Sequence, residues 1–270
     1  MDAFRALEHT IEKNLGIHCS NYKEDYIKRR ILSRMRSTGR ETFEEYHRFL
    51  LTSQQEMEDL RNALTINVTK FFRDPDVFEV LRAHVLPGIL QKRHRVHIWC
   101  AGCSSGEEAY TLAILLHDLI AARGGSDVSA LVYATDIDHE ILRRAKEGIY
   151  DAKALENVSH SQLSRHFTLC PDGRYEVKQH LRELIRFRHH DLMSGVPISR
   201  FLDCISCRNV TIYFTEAQKN DLARMFHASL VTGGYYVMGK TEYLSREVEP
   251  LFTPYNVLEK IYTKKDDTAR

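Results

Sequence analysis

Residues 98–116 read IWCAGCSSGEEAYTLAILL, a short apolar run, a glycine-containing turn and then apolar residues at helical spacing. A strand that ends at Gly102 and leads through Ser104, Ser105 and Gly106 into a helix puts backbone N–H groups and the positive helix end at the carboxyl edge of a sheet. In a dinucleotide site a pyrophosphate occupies that point. Here Glu107 and Glu108 fill the first helical turn, and two negative charges repel a phosphate held there. A cationic ligand fits better. The plain alternative is that the acids only complement the helix dipole, worth about 0.3–1 kcal/mol.

Outward from this turn the same period repeats. RVHIWCAG is a short strand, EEAYTLAILLHDLIAA a helix, ALVYATDID a second strand and HEILRRAKEGIY a second helix. This βαβ alternation predicts an α/β fold with a doubly wound, mostly parallel sheet. LIRFRHHDL, LDCISCRN and GGYYVMGK supply three more strands, with a helix over 216–230 before the last, and VLEKIYTKK is a strand near an edge. The second strand ends in Asp136, where a carboxylate can accept hydrogen bonds from a ribose diol. A nucleoside carrying a positive charge instead of phosphates describes S-adenosylmethionine.

Residues 1–95 follow a different rhythm, with apolar residues at helical spacing (Phe4, Leu7, Ile11, Leu15; Ile27, Ile31, Leu32, Met35; Phe43, Tyr46, Phe49, Leu50). Gly16 and Gly39 fall where C-terminal caps belong. Asp74-Pro75 reads as an N-cap and first-turn proline opening a helix to about Leu90. The expected organisation is a helical N-terminal domain over 1–75, a linking helix over 76–95 and an α/β domain over 96–270. Pro171-Asp172-Gly173 turns between two strand-like runs, giving a small antiparallel insertion at about 163–184.

The chain of 270 residues has 43% hydrophobic residues and a formal charge of +1, enough for a real core and too balanced for the global field of a nucleic-acid binder. No stretch reaches the roughly 18 apolar residues of a membrane span. A cytoplasmic protein is expected, with its six cysteines reduced. Two CxxC pairs, Cys100/Cys103 and Cys204/Cys207, raise a zinc or thiol-redox alternative, but two of these cysteines sit inside apolar strands. No metal is expected, since the histidines show no ligand spacing along the sequence.

The segments NVTKFFRD (67–74), WCAGCSSGEEAYTLA (99–113), ATDID (134–138), EGIY (147–150), DGRYEV (172–177), FRHHDL (187–192) and CRNVTIYF (207–214) resemble the CheR-type chemotaxis receptor methyltransferases along nearly the whole chain. The resemblance implies a helical N-terminal domain joined to a class I S-adenosylmethionine-dependent methyltransferase fold with an inserted β-subdomain. It implies methyl transfer to glutamates on the cytoplasmic helices of chemoreceptors, leaving S-adenosylhomocysteine. Asn67, Thr69 and Arg73 would reach the cofactor, Glu107 or Glu108 would meet its ammonium and Asp136 its ribose. Asp191, Leu192, Arg208 and Asn209 would border the rest, with Arg73 and Tyr213 at the methyl-transfer site. Where the family usually has Asn, this chain has Asp191. A related domain that binds S-adenosylmethionine only as a sensor or scaffold is the alternative.

Lys28, Arg29, Arg30, Arg34 and Arg36 surround the helix whose apolar stripe is Ile27, Ile31 and Met35. This basic face is either simply solvated or, as the resemblance implies, docks on acidic receptor helices, with the β-subdomain as a second contact. Nucleic acid is not expected, because stacking aromatics are not interleaved with the charges. A monomer is expected.

Overall fold

The computed structural model describes residues 2–65, 69–124 and 128–265. The chain divides into two units, Met1–Asn67 with Tyr213–Gln218, and Val68–Ile212 with Lys219–Arg270.

The first unit is helical: α1 (Ala3–Leu15), α2 (Glu24–Thr38), α3 (Phe43–Thr52) and α4 (Gln54–Thr65). The apolar stripes meet in one core that includes Leu7, Ile11, Ile27, Ile31, Tyr46, Leu50 and Leu60, whereas Leu32 lies outside it and is exposed. Gly16 and Gly39 end α1 and α2 at φ 69° and 66°, the left-handed conformation glycine adopts without a Cβ penalty. Thr42 and Glu45 form a reciprocal capping box on α3. Tyr213–Gln218 belongs here through main-chain pairing: Lys23 N–H donates to the Tyr213 carbonyl at 3.0 Å and Thr215 N–H to that of Asn21 at 3.1 Å.

The second unit opens with helical turns α5 (Pro75–Val80) and α6 (Leu86–Lys92), joined by a π-helical turn over Leu81–Val85. The helix predicted to about Leu90 is present, but Asp74 does not cap it. Asp74 is left-handed at φ 57° and makes no side-chain cap bond, because its carboxylate is turned to Arg208 at 2.7 Å.

The strands are β1 (Arg95–Ala101), β2 (Ser129–Asp136), β3 (Ile149–Tyr150), β4 (Phe167–Leu169), β5 (Tyr175–Val177), β6 (Ile185–His189), β7 (Leu202–Cys207), β8 (Leu230–Met238), β9 (Phe252–Asn256) and β10 (Ile261–Lys264). Seven form one sheet in the order β6-β2-β1-β7-β8-β10-β9. The first five are mutually parallel, and β10 and β9 add antiparallel strands at one side. VLEKIYTKK is therefore second from the edge, and β9, which the sequence reading did not anticipate, is the edge. The helices after Pro75 continue with α7 (Glu107–Ala122), α8 (His139–Glu147), α9 (His160–His166), α10 (Gln179–Arg182) and α11 (Glu216–Ser229).

Strand β1 is buried from Ile98 to Ala101 and α7 is buried over most of its first ten residues, as expected for a central strand and the crossover helix that covers it. The insertion is a three-stranded antiparallel sheet, β3-β5-β4; the turn at 171–173 was legible, while its third strand comes from EGIY. Among the described residues no helix is long and apolar enough to cross a membrane.

Candidate active site

The strand order changes direction beside β1, so the carboxyl ends of β1, β2 and β7 form the crevice where ligands of open α/β sheets bind. Gly102 and Gly106 shape the turn after β1. Gly102 has φ +78° and a Cβ there would lie 2.5 Å from Val210 Cγ2; Gly106 has φ +97° and would meet Ala145 Cβ and Tyr150 Oη at 3.0 Å. Both positions are closed to side chains on conformational and steric grounds.

The N–H groups of this turn are largely committed within the protein. Those of Gly102 and Cys103 donate to the Thr135 carbonyl at 2.8 Å, and that of Gly106 to the Cys103 carbonyl at 2.9 Å. Ser104 N–H donates to Asp136 Oδ2 at 2.8 Å. Three of these donors are taken by main-chain carbonyls and the fourth by the Asp136 carboxylate, which leaves none of them to cradle a phosphate.

The two glutamates of the acidic turn differ in their surroundings. Glu108 is saturated: Oε1 accepts from Ser206 Oγ at 2.6 Å and Cys100 Sγ at 3.7 Å, and Oε2 from Arg208 Nη1 at 3.0 Å. Among the described residues Glu107 accepts one side-chain hydrogen bond, from Ser105 Oγ at 2.7 Å. Burial pushes the Glu107 carboxyl above its ordinary value, opposed by the Ser105 hydroxyl. Burial raises Asp136 as well, against the N–H groups of Asp138 and Ser104. A cation beside Glu107 and a hydroxyl donor beside Asp136 would compensate the two desolvated acids, so this pair of acceptors fits S-adenosylmethionine, with its ammonium and ribose diol.

Arg208 is buried and pairs with two carboxylates, those of Glu108 and Asp74. Its Nη2 donates to the Arg73 carbonyl at 3.0 Å and to Asp74, and its guanidinium lies 5.0 Å above the Phe78 ring. The segment before α5 is fixed to the α/β unit by these bonds and by Phe72 N–H donating to Thr111 Oγ1 at 3.1 Å. Thr69 and Arg73 are part of this segment. Phe72 and Asp74 within it, Ser104 in the turn and Asn209 after β7 all have positive φ, a cost sustained only where surroundings impose it.

Asp191 accepts Met193 N–H at 2.8 Å and so starts a one-turn 3-10 helix over Leu192–Ser194; Leu192 is buried. Tyr213 lies in the helical unit, its ring 4.7 Å from that of Tyr26. Asn67 lies outside the described residues. All four cysteines of the two CxxC pairs are buried, three in strands and Cys103 in the turn after β1, and burial pushes their thiols up, away from the reactive thiolate form.

Sequence reading missed Glu242. Buried, it accepts N–H groups from Gly239 at 2.7 Å, Asn209 at 2.9 Å, Val210 at 3.0 Å and Thr211 at 2.7 Å, and the Thr211 hydroxyl at 2.7 Å. This carboxylate shapes the loop over Asn209, Val210 and Thr211. Its segment, GKTEYLS, has no periodicity from which that role could be read.

Residues 2–65 match the family described as CheR methyltransferase, all-alpha domain, and residues 67–259 match CheR methyltransferase, SAM binding domain. The chain belongs to the CheR methyltransferase family. It is 35% identical over 234 residues to the chemotaxis protein methyltransferase of Listeria monocytogenes, covering 86% of each chain. It is 34% identical over 254 residues to that of Salmonella typhimurium, covering 91% of this chain and 85% of the relative. Chemotaxis protein methyltransferase 2 of Vibrio cholerae is 33% identical over 239 residues, 86% of this chain and 82% of the relative. This CheR-family chain is thus an S-adenosylmethionine-dependent methyltransferase, with an all-helical N-terminal region and the mostly parallel sheet and small antiparallel sheet expected from its sequence.

Proposed function

We propose that the protein transfers methyl groups to glutamate side chains on the cytoplasmic helices of chemoreceptors and works in the cytoplasm. The observation that carries this reading is the match to chemotaxis protein methyltransferases over both the helical region and the cofactor-binding region. Glu107, with unsaturated hydrogen-bonding capacity, receives the methionyl ammonium, while Glu108 stays with Arg208 and Ser206. Asp136 receives the ribose diol, and Thr69, Arg73, Asp191, Leu192 and Asn209 line the remainder, joined by Asn67. Arg208 acts from behind, holding Glu108 and the Arg73 main chain in place.

When bound, S-adenosylmethionine supplies an electrophilic methyl carbon on a positively charged sulfur. A glutamate with an ordinary pKa of about 4.3 is already an ionised nucleophile at neutral pH, so no general base is required. The chain's task is alignment, worth up to about 7–11 kcal/mol in well-oriented systems, and exclusion of water as opposite charges are consumed. Arg73 positions the incoming carboxylate. Tyr213 offers it a hydroxyl or turns its aromatic face to the sulfonium.

Exposed Lys28, Arg29 and Arg36 give α2 a basic outer face for acidic receptor helices. Arg34 contributes less, because it is held by Glu56 at 2.6 Å and Asp59 at 2.8 Å. Incubation with radiolabelled S-adenosylmethionine and chemoreceptor signalling fragments should give alkali-labile methyl ester, lost in Arg73→Ala. Cofactor binding without transfer to any receptor of the same cell would sink the enzymatic reading in favour of a sensing domain.

A further inference from the structure

We propose that His117, His166 and His180 form a binding site for a divalent transition-metal ion of the zinc class, with Asp118 as the carboxylate partner of His166. The three residues come from different elements of the α/β unit: His117 from α7, His166 from the end of α9 and His180 from α10. Their spacing in sequence gives no metal signature. The fold brings one ring nitrogen of each within 4.8 Å of the others, and ring centroids lie 4.5 to 5.3 Å apart.

The polar arrangement is what a metal-binding histidine cluster requires. His166 is fully buried and bonded at both nitrogens: Nε2 faces Asp118 Oδ1 at 3.0 Å and Nδ1 faces His180 Nε2 at 3.0 Å. A carboxylate can only accept, so Nε2 carries the proton and Nδ1 presents its lone pair to the cluster. That is the carboxylate–histidine–metal relation in which an outer acid fixes tautomer and ring orientation. With metal–nitrogen bonds of about 2.0–2.1 Å, ligand nitrogens on a tetrahedral ion stand about 3.3 Å apart, close to the His166–His180 separation. The third member supplies a further sign: the Nδ1 atom of His117 is buried without a hydrogen-bond partner, its nearest carboxylate oxygen being Asp118 Oδ1 at 3.8 Å. His117 and His180 are part-exposed, so both rings can adjust around the fixed His166, and solvent can fill a fourth position. Three imidazoles select zinc, copper, nickel or iron over magnesium and calcium.

Such an ion would tie α9 and α10, which flank the β4–β5 hairpin, to α7, whose first turn carries Glu107 and Glu108. Its role is to fix the inserted sheet on the cofactor-binding unit, and it does not depend on what the enzyme methylates.

The test uses full-length protein free of any polyhistidine tag and stripped with chelator. Titration with cobalt(II), followed by its visible absorption, and with zinc(II) by calorimetry, should show one saturable equivalent. His180→Gln and His117→Gln, both at part-exposed positions, should each weaken binding at least about 100-fold. Asp118→Asn should weaken it about 10–100-fold. Circular dichroism without metal checks that each variant is folded. Absence of saturable binding to the wild-type protein overturns the proposal and leaves a hydrogen-bonded histidine cluster; so does affinity that is unchanged in both histidine variants.

Discussion

Two acidic regions at the carboxyl edge of the sheet are built on opposite terms. After β7, Glu242 receives four N–H groups and a hydroxyl, every one from its own surroundings. After β1 and β2, among the described residues Glu107 accepts the Ser105 hydroxyl and its own N–H, and Asp136 the N–H groups of Ser104, Ile137 and Asp138, and burial raises both carboxyls. A buried charge saturated by the protein belongs to the scaffold. On the proposed reading, one left with hydrogen-bonding capacity and a desolvation cost faces the ligand, Glu107 its ammonium and Asp136 its ribose diol. The contrast separates residues that look alike in the sequence, Glu108 from its neighbour Glu107 above all.

The largest expected effect lies on the saturated side. Glu242→Ala strands four donors in a buried loop, and each unsatisfied group costs about 1–3 kcal/mol. Chemical denaturation should show a loss of about 4 kcal/mol or more. A loss below about 1 kcal/mol would mean that the loop holds its shape without the carboxylate, and the comparison would fail.

Asp136→Asn probes the other side. Hydrogen bonds to a charged acceptor contribute about 1.5–3 kcal/mol each, so calorimetry should find S-adenosylmethionine bound about 10- to 100-fold more weakly. Unchanged affinity would remove Asp136 from the site. Ser104 N–H is held by Oδ2 and Asp138 N–H by Oδ1, so the amide keeps one of these bonds and strands the other donor; the variant should lose about 1–3 kcal/mol in chemical denaturation, less than Glu242→Ala.

The parts of this architecture that repeat locally were legible in advance. Strand β1, its glycine turn and α7 follow from period and from the glycines that end the strand and open the helix, and the stripes of α1 and α2 follow from 3.6-residue spacing. What escaped were contacts between segments far apart in the chain. Asp74 has the sequence of a helix cap, yet a buried guanidinium 134 residues away takes its carboxylate, because a buried cation needs an anion more than a helix end needs a cap. Arg208 itself suggested a ligand contact, and the fold shows it engaged with Glu108, Asp74 and the Arg73 carbonyl. The histidines of α7, α9 and α10 carry no spacing signal, since only the insertion's fold assembles them.

Glu107→Gln sharpens the contrast by separating binding from stability. Burial holds the folded Glu107 carboxyl above its ordinary value, so the folded chain keeps this proton to higher pH than the unfolded chain. Its contribution to stability is therefore present at low pH and declines as pH rises through that interval. At neutral pH the glutamine variant should be at least as stable as wild type, while binding S-adenosylmethionine about tenfold more weakly, the loss of about one charge-assisted interaction. Wild-type affinity should also fall as pH drops into the raised carboxyl range, because protonation removes the charge that meets the ammonium. A variant that loses stability and keeps affinity would assign Glu107 to the scaffold.

The smallest effect is expected at Asp191, where this chain carries an acid in place of the amide usual in the family. Its observed work is done by one oxygen, accepting Met193 N–H at the start of a 3-10 turn, and asparagine caps such a turn as well as aspartate does. Asp191→Asn should therefore change stability by less than about 0.5 kcal/mol and S-adenosylmethionine affinity by less than about twofold. The adenine ring offers both donors and acceptors, so a second, ligand-facing role would not be silent: an amide can donate where an ionised carboxylate cannot. A tenfold gain in affinity in the asparagine variant would show that the side chain reaches the nucleoside, and would place Asp191 beside Glu107 and Asp136 among the acids that face the ligand.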